Sequence, residues 1–212
     1  MNDTIDVNSP AKWEADYARG TDGWDLGGPT PAFLRLLSAQ HQGRARFRPG
    51  RLLVPGAGRG HDAREFARHG FQVTAVDFSP YAVQEMRRLA TPDAPLEILE
   101  SDVFALPRAL DGAFDYVLDY TCFCAIDPRR RGEYAGRVAR WLKVGGVYIH
   151  LGFPLDAHAG GPPFAASAGE ILNLFTQQGL RLLEREVPFD SVPQRRGLEE
   201  LFVFARCVFV AA

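Results

Sequence analysis

The stretch that decides the fold is RLLVPGAGRG, at residues 51–60. A short apolar run ends there in a glycine-rich turn, and residues 62–69 continue with apolar side chains at helical spacing. Glycine lets the backbone turn sharply and lets a ligand lie against it without meeting a side chain. Because the turn stands between a strand and a helix, it predicts the first unit of an α/β sheet with a ligand-binding loop.

Strand and helix patterns alternate after this stretch. The β-branched run at residues 71–77 predicts a second strand, and Ser79-Pro80 predicts the start of a helix that ends near Leu89. Further strands are predicted at 96–99, 114–120, 147–152, 180–187 and 201–210, and further helices at 128–143 (ended by Gly145-Gly146) and 169–178. The last two strands have no helix between them. The pattern therefore predicts a seven-stranded, mostly parallel sheet that ends in an antiparallel hairpin, with helices on both faces.

The leader before the decisive stretch, residues 1–49, is predicted to be rich in loops, with one short helix at Pro31–Gln40. The whole chain has 212 residues, of which 46% are apolar and 24% charged, an ordinary globular composition. Domains commonly contain roughly 100–200 residues. We therefore expect a single domain over residues 1–212.

Charge and cysteine content limit the classes of partner. The chain has 24 Lys and Arg against 26 Asp and Glu, a net charge of −2, which gives no reason to expect a nucleic acid or an anionic membrane as partner. Its three cysteines, 122, 124 and 207, form no zinc-binding pattern with histidine and favour a reducing compartment. The N-terminus has no signal-peptide pattern, and no apolar run reaches the roughly 20 residues of a membrane span. We expect a cytoplasmic monomer without a metal.

An acidic residue ends the second predicted strand, and another comes shortly after the third. Asp77 stands seventeen residues after Gly60, where a carboxylate can accept hydrogen bonds from both hydroxyls of a ribose. Asp102 follows the third strand and suits the amino group of an adenine, with Phe78 and Val103 on either side of the ring. The alternatives are a helix-capping or loop role for Asp102 and a core position for Phe78. The residues therefore predict a nucleoside site.

The glycine spacing bears on which nucleoside cofactor binds. The turn at residues 56–60 has the spacing G-x-G-x-G, whereas dinucleotide-binding folds have G-x-G-x-x-G. Two functions stay open on the residues alone: a nicotinamide-dependent oxidoreductase and a non-catalytic nucleoside-binding module.

Together these features resemble class I S-adenosylmethionine-dependent methyltransferases, which implies their Rossmann-like fold. Within this class, a nucleic-acid or protein methyltransferase is a weaker alternative. Residues 119–122 read DYTC instead of the (D/N/S)PP(Y/F/W) motif of amino-methylating enzymes, and the chain has no basic face. The resemblance is closer to the thiopurine S-methyltransferase superfamily, and within it to the halide, thiocyanate and thiol methyltransferases. Four segments carry it: the aromatic leader that ends in WDLG at 24–27, LVPGAGRGHD at 53–62, FDYVLDYTCFCAIDP at 114–128, and GGPPF at 160–164. It covers roughly residues 13–205, with Ala57 where the family commonly has Cys and Cys122 where Phe is common.

The resemblance implies a role for particular residues. S-Adenosylmethionine would be the cofactor and S-adenosylhomocysteine its product, with residues 1–49 as a segment that covers the cofactor. The expected cofactor-binding residues are Trp13, Tyr17, Trp24, Gly56, Gly58, Asp77, Phe78, Asp102 and Val103. Aromatic rings attract a sulfonium cation by about 0.5–2 kcal/mol each, which suits the three leader aromatics; their alternative role is to pack on the core. Tyr120 matches the tyrosine that faces the transferred methyl group and is the expected catalytic residue, by a hydrogen bond to the sulfur or by polarising the methyl group.

Methyl transfer to a thiolate or a halide is an in-line displacement, and an ordinary thiol has a pKa of about 8.5, so no strong general base is required. Alignment and removal of water from the nucleophile would supply the catalysis. The expected pocket walls are Tyr120, Phe123, Phe153 and Phe164, with a core position as the alternative for each Phe. Four further interpretations are a core position for His150 and for Trp141, a solvated face for Arg129–Arg131, and no nucleophilic role for Cys122 or Cys124.

Overall fold

The computed structural model describes residues 6–41 and 47–207, with the backbone alone for 39–41. Its helices are α1 Pro10–Arg19, α2 Pro31–His41, α3 His61–Arg68, α4 Pro80–Arg88, α5 Arg131–Trp141 and α6 Ala168–Gln177. Its strands are β1 Arg51–Pro55, β2 Gln72–Asp77, β3 Leu96–Glu100, β4 Phe114–Tyr120, β5 Leu142–Gly152, β6 Leu180–Glu186 and β7 Glu200–Arg206. Short 3-10 turns occur in several of the connections.

The seven strands form one sheet in the order β3-β2-β1-β4-β5-β7-β6. All neighbouring pairs are parallel except those of β7, which runs antiparallel to both β5 and β6. This confirms the predicted α/β sheet with its C-terminal antiparallel hairpin at one edge. The strand order reverses between β1 and β4, and in open α/β sheets ligands bind at such a reversal, beyond the carboxyl ends of the strands.

Both faces of the sheet are covered, as predicted. Leu52 and Val54 of β1 belong to a buried cluster with residues of α2, α3 and α4. Leu53, which points to the other face, belongs to a second buried cluster with residues of α5 and α6. Because β1 is buried on both sides, it is a continuous apolar run after Arg51. Trp141 is 1% exposed at the end of α5, which confirms its core position.

The leader differs from the expectation of loops, because it contains α1 as well as α2. The hydroxyl of Ser9 accepts a hydrogen bond from the Ala11 N–H, and Pro10 occupies the first turn of α1. Gly20, with φ 65°, ends the helix and donates its N–H to main-chain carbonyls of the last turn. These are the same start signals that predicted α4, so the sequence did contain the evidence for α1.

The region of Gly145-Gly146 also differs from its prediction. The predicted helix 128–143 begins as a 3-10 turn at Pro128–Arg130 and ends at Trp141, and β5 starts at Leu142, so the glycine pair lies inside a strand. Leu142 pairs with Phe114, but Val147 pairs with Tyr116, which indicates a bulge. A Cβ on Gly146 would lie 2.9 Å from the Lys143 carbonyl oxygen, so the bulge requires glycine there. Of the predicted last strand, residues 208–210 lie outside the described residues.

Candidate functional site

A cavity of about 560 Å³ lies at the carboxyl ends of β1, β2 and β4, under the leader. All nine residues predicted to bind the cofactor line it, and so do Tyr120 and Phe153. The leader contributes α1 and residues 20–30, β1 contributes the glycine turn, and the β6–β7 connection contributes Gln194 and Arg195. Residues far apart in the sequence therefore meet at the point where the strand order reverses.

The glycine turn has left-handed backbone conformations at three positions. Gly56, Gly58 and Gly60 have φ angles of 57°, 54° and 70°. A Cβ on Gly56 would lie 2.8 Å from the Sγ atom of Cys122, which is closer than real Cβ atoms come to a neighbour. A Cβ on Gly58 would meet the hydroxyl of Tyr17 at 3.5 Å, so Gly58 is needed mainly for its backbone angle.

Asp77 is buried at the end of β2 and fixes the glycine turn. Its Oδ2 atom accepts a hydrogen bond of 2.8 Å from the Gly58 N–H, and its Oδ1 accepts one of 2.9 Å from the Ser79 N–H. Burial raises the pKa of Asp77, and these N–H groups oppose the rise. A carboxylate oxygen can accept more than one hydrogen bond, so both oxygens keep capacity for hydroxyl groups in the cavity.

Asp102 lies on the opposite side of Asp77 from the turn, at the end of β3. Its Oδ1 atom accepts a hydrogen bond of 2.9 Å from the Phe104 N–H and so caps the 3-10 turn Val103–Ala105. The interpretation of Asp102 as a cap is therefore correct. Asp102 also lines the cavity together with Val103 and Phe78, so capping does not remove it from the site.

The three leader aromatics contact one another beside the cavity. The ring centroids of Trp13 and Trp24 are 5.2 Å apart, and those of Tyr17 and Trp24 are 5.3 Å apart, both in edge-to-face geometry. Tyr17 also stacks on Tyr81 of α4 at 4.7 Å. The rings form one aromatic cluster over the glycine turn, where a positively charged sulfur would meet several π-systems.

Arg59 connects this leader to the glycine turn, a role that the sequence analysis missed. Its guanidinium forms ion pairs with Asp22 and Asp25 and lies 5.1 Å from the centroid of the Tyr17 ring. Burial alone would raise the pKa of Asp25, but hydrogen bonds from His61, the Gly27 N–H and Arg59 hold it well below its usual range. The signal in the sequence was an arginine inserted between two glycines of the turn.

Helix α1 is attached to the start of α4 by Glu14, which the sequence analysis also missed. The Oε1 atom of Glu14 accepts hydrogen bonds from the Ser79 hydroxyl and, at 3.2 Å, from the Tyr81 N–H. A carboxylate is stabilised at a helix N-terminus by the free N–H groups there. This contact lies next to Asp77 and so aligns the leader with the nucleoside end of the cavity.

Tyr120 ends β4 at the other end of the cavity, and its hydroxyl has two charged partners. It donates a hydrogen bond to the Glu199 carboxylate and accepts one from the Arg195 guanidinium. Burial raises the pKa of Tyr120 far above its usual range, Arg195 opposes the rise and Glu199 adds to it, so the phenol stays protonated. Arg195 is 5% exposed and Glu199 is 3% exposed, so both are buried charges.

Arg195 also connects the β6–β7 connection to the leader. Its Nη2 atom donates hydrogen bonds of 3.0 Å to the Trp24 carbonyl and 3.3 Å to the Gly23 carbonyl. The guanidinium carbon lies 4.7 Å from the ring centroid of Phe153. The sequence analysis named neither Arg195 nor Glu199, because both stand in or beside a polar connection that no motif marks.

Two of the predicted pocket walls are wrong. Phe123 is 1% exposed and packs against the rings of His150, at 5.3 Å, and Phe175, at 5.8 Å, in the core on the side of α5 and α6. Thr121 turns the chain with φ 65°, and the 3-10 turn Phe123–Ala125 then directs Phe123 away from the cavity. Phe164 does not line the cavity either; its N–H donates to the Cys124 carbonyl, and the two prolines before it line the cavity instead.

The cysteines near the cavity are thiols. Cys122 and Cys124 both line it, and burial raises the pKa of both, that of Cys124 to about 12. A nucleophilic cysteine needs a lowered pKa, so these two do not have the character of nucleophiles, as interpreted from the sequence. Cys122 packs over Gly56, so its difference from the family pattern does lie at the cavity.

The remaining sequence interpretations have mixed outcomes. His150 is 1% exposed, burial lowers its pKa, and neither ring nitrogen has a hydrogen-bond partner among the described residues, which agrees with a neutral core histidine. The solvated face expected for Arg129–Arg131 is correct for Arg129, whose side chain is 88% exposed. It is wrong for Arg131, which is 2% exposed because it pairs with Glu170 and donates to the Phe164 carbonyl.

The whole arrangement fits a nucleoside with a positively charged sulfur. Asp77 and Asp102 line the cavity at the ends of neighbouring strands, and aromatic rings line it beside the glycine turn. Within the described ranges no group of three or more His, Cys, Asp or Glu side chains could hold a metal ion. None of the helices described there has the length and the apolar character needed to cross a membrane.

Comparison with known proteins gives one family. The family model of thiopurine S-methyltransferase matches residues 8–205. A probable thiol methyltransferase 2 from Arabidopsis thaliana is 34% identical over 200 residues, which cover 92% of this chain and 84% of that protein. Thiocyanate methyltransferase 1 from the same plant is 31% identical over 193 residues, or 89% and 82% of the two chains.

Two solved structures share the fold. The 1,6-didemethyltoxoflavin-N1-methyltransferase of Burkholderia thailandensis, crystallised with S-adenosylhomocysteine, has a TM-score of 0.68 at 24% identity, covering 94% of this chain and 87% of that one. A TehB-like S-adenosylmethionine-dependent methyltransferase from Corynebacterium glutamicum has a TM-score of 0.66 at 19% identity, covering 93% and 100%. These likenesses confirm the class I methyltransferase fold that the sequence resemblance implied.

Proposed function

The chain belongs to the thiopurine S-methyltransferase family and is an S-adenosylmethionine-dependent methyltransferase, and we propose that its acceptors are small soft nucleophiles. The proposed class comprises thiols, hydrosulfide, thiocyanate, halides and aryl thiols. One observation carries the proposal: a single cavity joins the nucleoside end, at Asp77, to a small end enclosed by Tyr120, Phe153 and Arg195. An anionic sulfur at that end would meet aromatic rings and a guanidinium instead of water.

The proposed roles at the nucleoside end follow from position and hydrogen-bonding capacity. Asp77 accepts hydrogen bonds from the ribose hydroxyls, and Asp102 accepts one from the adenine amino group between Phe78 and Val103. Trp13, Tyr17 and Trp24 present aromatic surface to the sulfonium. When bound, S-adenosylmethionine would supply the electrophilic methyl group.

The proposed roles at the acceptor end are exclusion of water and alignment. Tyr120 and Phe153 give the nucleophile an apolar surface, which removes water that would otherwise stabilise its charge. The guanidinium of Arg195 keeps an anion from leaving this surface, and the leader closes the cavity from above. Holding the nucleophile in line with the methyl group lowers the entropic part of the barrier.

The proposal is tested with a panel of acceptors at a fixed concentration of S-adenosylmethionine. Purified protein is given iodide, thiocyanate, hydrosulfide, methanethiol and aryl thiols, and S-adenosylhomocysteine is measured. We expect turnover with sulfur acceptors and its loss in Asp77→Ala, which removes the ribose contact. An absence of turnover with every member of the panel, in protein that binds S-adenosylmethionine, would refute the acceptor class.

We further propose that the protein is a monomer that acts as one domain, residues 1–212, in the cytoplasm, with residues 1–49 as its lid. The net charge of −2 and the three free cysteines support this, and so does a cavity suited to a small acceptor and not to a nucleic acid. Light scattering on the purified protein measures whether it is a monomer. Methyl transfer to bulk RNA or DNA would contradict the proposal that the acceptor is a small molecule.

A further inference from the structure

The pair of Tyr120 and Glu199 is an unusual feature of the acceptor end. Glu199 is 3% exposed on the chain beside β7, and its carboxylate accepts the Tyr120 hydroxyl. Among the described residues, Glu199 forms no ion pair within 4.0 Å, even though Arg195 binds the same hydroxyl. A buried carboxylate needs hydrogen-bond donors, and the Tyr120 hydroxyl donates to Glu199.

The Tyr120 oxygen is in a position to receive a proton from the cavity. A phenol oxygen has one proton to donate and two lone pairs. The proton goes to Glu199 and one lone pair accepts the Arg195 N–H, which leaves the second lone pair for a group in the cavity that Tyr120 lines. The hydroxyl therefore connects an acceptor in the cavity to a carboxylate behind it.

We propose that Glu199, acting through the hydroxyl of Tyr120, takes up the proton of acceptors that enter the cavity as neutral thiols. This inference rests on the proposed function, and it adds to that function a preference for acceptors that carry a proton. An alkyl thiol is mostly protonated at neutral pH, because its pKa is about 8.5. Thiocyanate and iodide carry no proton, so the relay has no part in their reaction.

The step balances in protons and electrons. The S–H bond of the acceptor breaks, its proton passes to the Tyr120 oxygen, and the Tyr120 proton passes to Glu199. The sulfur keeps the electron pair of that bond and uses it to form the new bond to the methyl carbon, while the old carbon–sulfonium pair stays with the departing thioether. Glu199 ends neutral, and its proton returns through Tyr120 to water after the products leave.

Arg195 makes this transfer easier without taking a proton itself. Its N–H bond to the Tyr120 oxygen stabilises negative charge that develops there as the proton moves toward Glu199. The charged groups that face Tyr120 are this arginine and Glu199, since Phe33 and Phe153 supply the neighbouring rings. The expectation from sequence that no strong general base is required therefore changes for thiols.

The test compares acceptors in Glu199→Gln, with Glu200→Gln as the matched control. Glu200 follows Glu199 directly as the first residue of β7. It pairs with Arg185 and does not line the cavity. We expect Glu199→Gln to lower kcat/KM for an alkyl thiol at least about 100-fold more than for thiocyanate, since a positioned proton acceptor contributes about 10²–10⁴-fold. An acidic aryl thiol should fall between the two. Glu200→Gln should change all acceptors by the same factor.

A merely structural role of Glu199 would give a different result. It would lower turnover of thiols and thiocyanate equally, and that outcome overturns the inference. Thermal unfolding and S-adenosylmethionine affinity identify a variant that fails to fold; in that case Tyr120→Phe, which breaks the same relay, is compared across the same acceptors. In a double-mutant cycle the two substitutions should be non-additive for the alkyl thiol, and additivity would refute the relay.

If the proposed function itself is wrong, the measurements give a different result. In that case the wild-type protein turns over neither thiols nor thiocyanate, and the comparison of variants cannot begin. Turnover of both classes by the wild type, with equal losses in Glu199→Gln, keeps the proposed function and removes only the relay. Turnover of thiocyanate alone by the wild type refutes the relay directly.

Discussion

Gly56 has two separate reasons to be glycine, and they can be measured apart. Its φ of 57° is costly for any other residue, and a Cβ would lie 2.8 Å from the Cys122 Sγ. Gly20 has a similar φ of 65°, but no described atom lies within 4 Å of where its Cβ would be. The pair therefore separates backbone strain from steric overlap at the start of the cofactor loop.

We expect Gly56→Ala to lower the free energy of unfolding by about 2–5 kcal/mol, from about 1–2 kcal/mol of left-handed strain and about 1–3 kcal/mol of overpacking. The control Gly20→Ala should lower the free energy of unfolding only by the left-handed strain, about 1–2 kcal/mol. Urea unfolding of both variants measures the difference. Equal costs in the two variants would show that Cys122 moves aside easily.

Asp62 predicts a pH dependence of stability. Its carboxylate accepts the Thr30 N–H at 2.7 Å and the Thr30 hydroxyl at 2.8 Å, and burial raises its pKa from 3.8 to about 6 in spite of these bonds. A raised carboxyl pKa means that ionisation is disfavoured in the folded state. The contribution of Asp62 to the free energy of unfolding therefore falls as the pH rises from about 4 to 6, and it stays low at higher pH.

Asp62→Asn should remove this slope, because the amide does not ionise. We expect the free energy of unfolding of the variant, relative to wild type, to increase by about 1–3 kcal/mol between pH 4 and pH 7.5; water in the adjoining cavity screens part of the full effect. Chemical denaturation at the two pH values measures it. Parallel pH profiles for the two proteins would contradict a raised pKa.

At the scale of elements, the helices and strands that could be predicted are those that are specified by residues close together in the sequence. β1 is an apolar run after Arg51, and β4 is apolar and aromatic except at Asp115 and Asp119, so the bounds of both strands could be predicted from the sequence alone. α1 was missed because its apolar positions are few, although its start and end residues, Ser9-Pro10 and Gly20, are typical. Phe123 was misplaced because a single turn at Thr121 decides which face of the sheet it joins.

The parts of the site that could not be predicted depend on contacts between distant elements. Arg195 and Glu199 stand 75 and 79 residues after Tyr120, and only the insertion of β7 between β5 and β6 brings them to it. In contrast, Asp77 ends β2 and Asp102 follows β3, and the ends of these strands meet at one edge of a parallel sheet. The residues that line this end of the cavity could therefore be predicted from the sequence, and the polar partners of Tyr120 could not.

The leader is held to the glycine turn by one cation. Arg59 pairs with Asp22 and Asp25, whose side chains are 14% and 12% exposed, so the pairs are largely shielded from water. Without these ion pairs, the leader should cover the cavity in a smaller fraction of the molecules. The apparent affinity for S-adenosylmethionine falls with that fraction. We expect Arg59→Gln to weaken S-adenosylmethionine binding about 10-fold and to speed chymotrypsin cleavage in the leader.

Arg19→Gln is the matched control for Arg59→Gln. Arg19 also pairs with an aspartate of the leader, Asp16, but its side chain is 63% exposed at the end of α1. Exposed pairs contribute little, so calorimetric titration should give a nearly unchanged dissociation constant. If Arg59→Gln bound the cofactor as tightly as Arg19→Gln, the remaining contacts of the leader, which include the aromatic cluster, Glu14 and Arg195, would be sufficient to hold it.

At the scale of the whole molecule, the first and last parts of the described chain close the same cavity. Arg195 of the β6–β7 connection donates to the Trp24 carbonyl, 171 residues away, and to the hydroxyl at the end of β4. The sheet supplies the rigid floor, and the leader and the connection form the cover. Cofactor binding should therefore stabilise the molecule through contacts at both ends of its sequence.

Arg195→Gln tests this coupling as a change in ligand-induced stabilisation. At a concentration of 100 times its dissociation constant, S-adenosylhomocysteine adds about 2.7 kcal/mol, or roughly 5–10 °C in Tm for a chain of this size. Without Arg195 the cover closes less often, so we expect the shift at the same ligand concentration to fall by at least half. Arg196→Gln, one residue later and exposed, should keep the full shift. Scanning fluorimetry compares the three proteins, and an equal shift in Arg195→Gln would mean that the cover closes without it.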